Sequence, residues 1–205
     1  MVCRAGLFRW LAVALLGLGN AVSAAPASVC PAGQHHVCVL VCFCAPGSQA
    51  DTGPIFDRVG QMAAGGLQSW LVRSRNVAVA SGVQEMPLHM RAYLEPYYDF
   101  QVLNAVRYKV GGEEELNAAN AVLQNPDVQA VTLVDVIVFR HEADALGNVA
   151  LWAHELKHVE QYQQWGVAEF AARYTRDFNA VEAPAYAIQL KVAKALQLPL
   201  AQPRQ

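Results

Sequence analysis

Two histidines stand four residues apart in His154-Glu155-Leu156-Lys157-His158, with a glutamate directly after the first. On a helix, positions i and i+4 lie one turn apart on one face, so both imidazoles can reach one tetrahedral zinc at about 2.0–2.1 Å. The intervening glutamate points about 100° away along the helix and addresses water beside the metal instead of the metal itself. Zinc lowers the pKa of its water from about 15.7 to about 7, and a nearby carboxylate can take the proton and pass it to a leaving amine. The pattern therefore predicts metal ligation by His154 and His158 and a general-base role for Glu155. A chance match on a solvated face is the competing explanation. It is disfavoured because the motif sits mid-helix, follows an apolar lead-in and lies beside a β-rich stretch.

A site that keeps one position for water needs a third protein ligand. The metzincin continuation fails, since Gln161 and Gln164 stand where glycine and histidine would be. Glu169, Asp177 and Glu182 are the downstream carboxylates. Glu182 is preferred, because it opens a second long helix that can run back along the first; Asp177 ranks next. Tyr162, Tyr174 and Tyr186 are unranked as donors to a developing oxyanion. His141-Glu142, His89 and His35-His36 read as surface residues.

These groups need elements to hold them. Gly147-Asn148 offers a turn and an N-cap, and Val149 to Trp165 then runs without proline or glycine until Gly166, where the helix is expected to stop. Val149, Trp152, Leu156 and Val159 fall on one side of this helix, roughly opposite the histidines, so both sides need covering. Upstream, a helical period begins at Pro54 with a stripe of Ile55, Val59 and Met62, and Gly65-Gly66 weakens or splits it. Pro87 suits the first position of a helix carrying Leu88, Arg91 and Leu94, which Pro96 ends. Val106, Tyr108 and Val110 alternate with basic residues, as in a half-buried strand. A helix over 113–123 is expected next, and Val128 to Phe139 is valine- and isoleucine-rich enough for one or two strands. After Gly166 the chain is expected to turn over 166–179 and enter the helix that carries Glu182 and ends near Leu196. The class is α+β with helix dominant.

The N-terminus differs in composition. Arg4 and Arg9 precede a short apolar run, and Val22-Ser23-Ala24 supplies small residues at signal-peptidase spacing, so residues 1–24 are expected to be a signal peptide. A retained membrane anchor is the alternative. Val29 stands where a lipobox would need a small residue, which argues against lipidation at Cys30. Residues 25–52 read as a Cys-rich extension, 53–198 as one domain and 199–205 as a tail. Cys30, Cys38, Cys42 and Cys44 are an even set in an exported chain and predict two disulfides. If 37–44 is one extended stretch, Cys42 and Cys44 cannot bridge each other, which leaves Cys30 paired with Cys42 or Cys44. A thiolate–histidine metal site is the sharper alternative, but the spacing fits no common zinc module.

With 54% hydrophobic and 16% charged residues the chain is too apolar for disorder and too interrupted for a polytopic membrane protein. A net charge of −2 without a basic cluster argues against nucleic-acid partners.

Val131-Thr132-Leu133-Val134-Asp135-Val136-Ile137-Val138-Phe139, followed by Leu151 to Gln161, resembles the eCIS core domain family. Leu94 and Val106-Arg107-Tyr108 extend the resemblance, which covers roughly residues 85–190. The family comprises small zincin-like metallopeptidase-type domains found with bacterial toxins and contractile injection systems. The resemblance implies a gluzincin-type zinc site, with ligation by His154, His158 and Glu182 and Glu155 as general base. Two departures stand out. Lys157 puts a cation between the histidines, expected to hold Glu155 ionised and make it a weaker base, and Pro184 interrupts the helix just after Glu182. The expected function is an exported zinc peptidase, periplasmic or extracellular, acting on a peptide or protein, without a stable membrane anchor after cleavage. A catalytically silent zinc-binding or interaction module is the alternative; a membrane-anchored structural protein is a third possibility.

Overall fold

The computed structural model describes residues 30–39, 41–111, 116 and 129–197. The expected signal peptide, the expected 113–123 helix apart from Leu116, and the tail lie outside them.

β1 (Gln34–Val39) and β2 (Val41–Pro46) form an antiparallel hairpin in which Cys38 is the Cα partner of Cys42. The expected single extended stretch over 37–44 is thus corrected. Reversal after Val39 lets the two arms satisfy backbone groups that a lone strand would leave unpaired. A disulfide joins Cys30 to Cys44.

α1 (Gln49–Ala80) starts before Pro54 and runs unbroken through Gly65-Gly66. Burial of Leu67, Leu71 and Ala78 outweighs the roughly 1 kcal/mol that each interior glycine costs a helix. The stripe of Ile55, Val59 and Met62 faces solvent, with Ile55 62% and Met62 73% exposed.

β3 (Gln84–Glu85) leads to α2 (Leu88–Leu94), whose N-cap is Pro87 and whose Met90 and Leu94 are buried. The short α3 (Phe100–Ala105) precedes β4 (Arg107–Val110), where Tyr108 is buried as the alternation predicted. β5 (Ala130–Leu133) and β6 (Val136–Phe139) are buried at every position, which explains an apolar run without alternation. Their two-residue turn puts Val134 at φ 64°, and Arg75 of α1 grips Asp135 with two 2.7 Å hydrogen bonds. The sheet order is β3-β4-β6-β5, with β4 and β6 parallel and the other neighbours antiparallel.

α4 (Glu142–Gly147) turns the chain into α5 (Val149–Arg176), which Asn148 caps by accepting from the Leu151 amide at 3.0 Å. Gly166, at φ 78° and ψ 163°, breaks the helical backbone of α5 where the helix is expected to stop; a second helical stretch resumes after this kink, so the turn expected over 166–179 is largely helix. α6 (Phe178–Ala195) follows at once and continues through Pro184.

Val149, Trp152, Leu156 and Val159 pack with Met90, Leu94 and Phe139 in one hydrophobic cluster. Leu67, Leu71, Leu133, Val138, Tyr162 and Phe170 belong to a second. Helices dominate a small mixed sheet, an α+β arrangement, and among the described residues no helix is long and apolar enough to cross a membrane.

Candidate metal centre

α5 presents His154 and His158 from successive turns, and α6 packs along it to bring in Glu182. Glu182 Oε2 lies 3.2 Å from His154 Nε2, and its Oε1 lies 3.5 Å from His158 Nε2. The two Nε2 atoms are 3.2 Å apart. Three donors held by one tetrahedral zinc at about 2.0–2.1 Å stand about 3.3–3.4 Å from one another, so this spacing fits the ion. The donor set fits as well: two imidazoles and a carboxylate suit a borderline cation better than calcium or magnesium. His154, His158 and Glu182 are the described residues that can hold a metal together.

Each histidine is held from behind. His154 Nδ1 lies 3.0 Å from Gln189 Oε1, and His158 Nδ1 lies 2.9 Å from Gln161 Oε1. Tyr186 meets the His154 ring edge-on at 4.7 Å, and Phe170 meets the His158 ring at 6.0 Å. Burial alone would raise the Glu182 carboxyl, but hydrogen bonds and charge from both histidines hold it well below the carboxylate range. Burial pulls the His158 imidazole down, yet the hydrogen bond and charge of Glu182, with smaller help from Glu155 and Gln161, push it up to about 9. Glu182 and His158 thus favour each other's charged forms.

Glu155 is buried and stays outside the three-donor group. Thr132 of β5 donates to its Oε2 at 2.7 Å. The cleft above these groups encloses about 160 Å³ and is walled by Leu71, Val131, Tyr162, Phe170 and Tyr174.

The other downstream carboxylates are elsewhere. Asp177 caps α6 by accepting from the Ala180 amide at 3.2 Å, and exposed Glu169 accepts from Arg173 at 2.8 Å. Lys157 requires a correction. It points away from Glu155, pairs with Glu160 and borders a separate depression with Tyr97, Tyr98 and Lys191. Two residues on an α-helix are about 200° apart, which is why its charge misses Glu155. Pro184 is exposed and leaves α6 intact between Glu182 and Gln189.

All three candidate tyrosines line the cleft. Tyr162 is buried in a stack on Phe170 at 3.9 Å, and burial with the nearby Tyr174, Glu155 and Glu182 raises its hydroxyl well above its usual range. Burial and the nearby Glu182 raise the Tyr174 hydroxyl above its usual range, while Tyr186 is 50% exposed at the rim. His89 reaches the Leu146 carbonyl at 2.9 Å, His35 the Gly47 carbonyl at 3.1 Å, and His141 is exposed at the start of α4. Cys30 and Cys44 are spent in their disulfide, which removes them from the thiolate–metal alternative.

Thr132, Gln161 and Gln189 were not singled out from the sequence. Gln161 follows His158 by three residues, a helical spacing that puts it near its partner, and Gln189 follows Glu182 by seven, which puts it on the helix face that meets His154. Only packing assigns them to the site.

No curated protein and no solved structure matches the chain. Residues 85–166 match the model of a family described as the eCIS core domain, a span that runs from β3 to the kink in α5 and includes His154, Glu155 and His158 but not Glu182. The resemblance read from the β5–β6 and α5 sequences is therefore borne out over residues 85–166, the stretch that matches the eCIS core domain.

Proposed function

We propose that the protein is an exported zinc-dependent peptidase of the zincin type. The reading rests on one observation above all: His154, His158 and Glu182 converge at tetrahedral donor spacing with a second acidic group, Glu155, left over beside them. Zinc at this position supplies a Lewis acid that activates water and polarises a carbonyl. Glu155 then takes the proton of the attacking water and delivers it to the departing amine. Thr132 fixes one Glu155 oxygen by hydrogen bonding, so the other is aimed into the cleft. Tyr186, exposed at the rim against His154, is the tyrosine best placed to donate to a carbonyl oxygen. The aromatic and aliphatic walls exclude water and accept the apolar part of a peptide. The Cys30–Cys44 disulfide fits an oxidising compartment, which supports export by the signal-like residues 1–24.

The test separates metal from chemistry. Purified mature protein should retain one zinc per chain. His158→Ala should lose most of it, and Glu182→Gln should weaken retention more than Asp177→Asn, whose parent residue is a helix cap. Glu155→Gln should keep zinc and melting temperature nearly unchanged while hydrolysis of a broad peptide library falls by about 10²–10⁴. Unchanged cleavage by Glu155→Gln would assign the activity to a contaminant. Zinc retention without cleavage by any form would move the function to a silent zinc-binding module.

A further inference from the structure

Gln161 is buried at 2% exposure, in the middle of α5, and both ends of its amide are used. Its Nε2 donates to the Val181 carbonyl of α6 at 2.9 Å. A carbonyl only accepts, so the amide nitrogen must face Val181 and the amide oxygen must face His158. That oxygen stands 2.9 Å from His158 Nδ1, so Nδ1 carries a hydrogen and donates to it. The tautomer of neutral His158 follows, with its free lone pair on Nε2, the nitrogen 3.5 Å from Glu182 and 3.2 Å from His154. Val181 directly precedes Glu182. One side chain therefore orients a histidine donor of α5 and holds the turn of α6 that carries the carboxylate donor. Gln189 makes the equivalent contact to His154 but from the same helix as Glu182.

We propose that Gln161 is the positioning residue of the metal site, setting the His158 tautomer through its oxygen and docking the Glu182 turn through its nitrogen. The proposal rests on the metal reading above and adds how this chain brings donors from two helices together. Such outer partners of a ligating histidine typically change metal affinity by 10–100-fold when removed.

Zinc affinity of the full mature chain is measured by competition with a chromophoric chelator for the wild type, Gln161→Met and Gln161→Glu. Met fills the space and makes neither bond; Glu still accepts from His158 Nδ1 but cannot donate to Val181. Affinity is expected to fall about 10–100-fold in Gln161→Met and to recover most of that loss in Gln161→Glu. Equal affinities for wild type and Gln161→Met overturn the proposal. A Glu variant as weak as the Met variant overturns the tautomer role, because that pattern is what the tie to Val181 alone would give. Imidazole nitrogen NMR of the zinc-loaded wild type gives an answer even if both variants fail to fold. His158 should show a protonated Nδ1 and a metal-bound Nε2, and the reverse overturns the proposal. A wild type that binds no zinc sinks the metal reading itself, a result distinct from zinc bound equally by wild type and Gln161→Met.

Discussion

At the scale of single residues, the metal-free site sets its own pH dependence. Folding raises the His158 imidazole from 6.5 to about 9, so its contribution to stability is complete below pH 6.5 and is lost as pH rises through 9. Folding lowers the Glu182 carboxyl from 4.5, so its contribution is present above pH 4.5 and is lost in acid. The chelator-treated protein should accordingly melt at lower temperature at pH 9 than at pH 6.5. Zinc needs an unprotonated His158, so the stabilisation it adds should grow across the same interval. Calorimetry at several pH values, with and without zinc, checks both. A metal-free melting temperature that is flat from pH 6.5 to 9, with a zinc increment independent of pH, would contradict this account of the pair.

Among the elements, α5 carries the most unusual backbone. Gly166 combines φ 78° with ψ 163°, a conformation almost confined to glycine, and it turns the helix so that Phe170 and Tyr174 come back over the cleft. Nothing lies within 4 Å of where a Cβ would stand, so Gly166→Ala meets no steric obstacle and its cost is conformational. That cost should be about 1–3 kcal/mol, seen as a melting temperature lower by roughly 2–12 °C. Gly65 in α1 also has open space around its would-be Cβ, but there the backbone is ordinary helix. Gly65→Ala should stabilise by about 0.4–1 kcal/mol, the opposite sign. Thermal melts of the two variants test the pair together, and a neutral Gly166→Ala would remove the kink from the account of the cleft.

For the molecule as a whole, the site is assembled from more than the matched core. Residues 85–166 bring the sheet and the histidine helix, whereas Glu182, Tyr186 and Gln189 come from α6 and Leu71 from α1. The N-terminal hairpin adds a covalent tie at Cys30–Cys44 and sets Cys38 opposite Cys42 in register. The even cysteine count of an exported chain still predicts a second disulfide from the remaining two, so thiol titration of denatured, unreduced mature protein should read near zero. Two reactive thiols per chain would leave the hairpin with Cys30–Cys44 alone.

The sequence by itself determined whatever depends on local periodicity and chemistry. The i, i+4 histidines announced a shared helical face, Asn148 the helix start, the valine- and isoleucine-rich run one or two strands, and Pro87 the start of α2. Tertiary structure decided what depends on which surfaces meet. Glu169, Asp177 and Glu182 are all candidate acids in one dimension, with Glu182 preferred for opening a second long helix, and the packing of α6 along α5 brings Glu182 to the histidines while Asp177 becomes a cap. Helix propensity predicted that Gly65-Gly66 would weaken α1, but burial of Leu67 and Leu71 carries that helix past them, whereas Gly166 does break the helical backbone and a second helical stretch resumes beyond it. Lys157 looked like a threat to Glu155 because it is two residues away in sequence; helical geometry sends it to the far side. Thr132 and Gln161 joined the site through contacts 23 and 20 residues distant, to Glu155 and Val181. Periodicity specifies the face a side chain occupies, but its partner across that face is chosen by the balance of burial and hydrogen bonding over the whole fold.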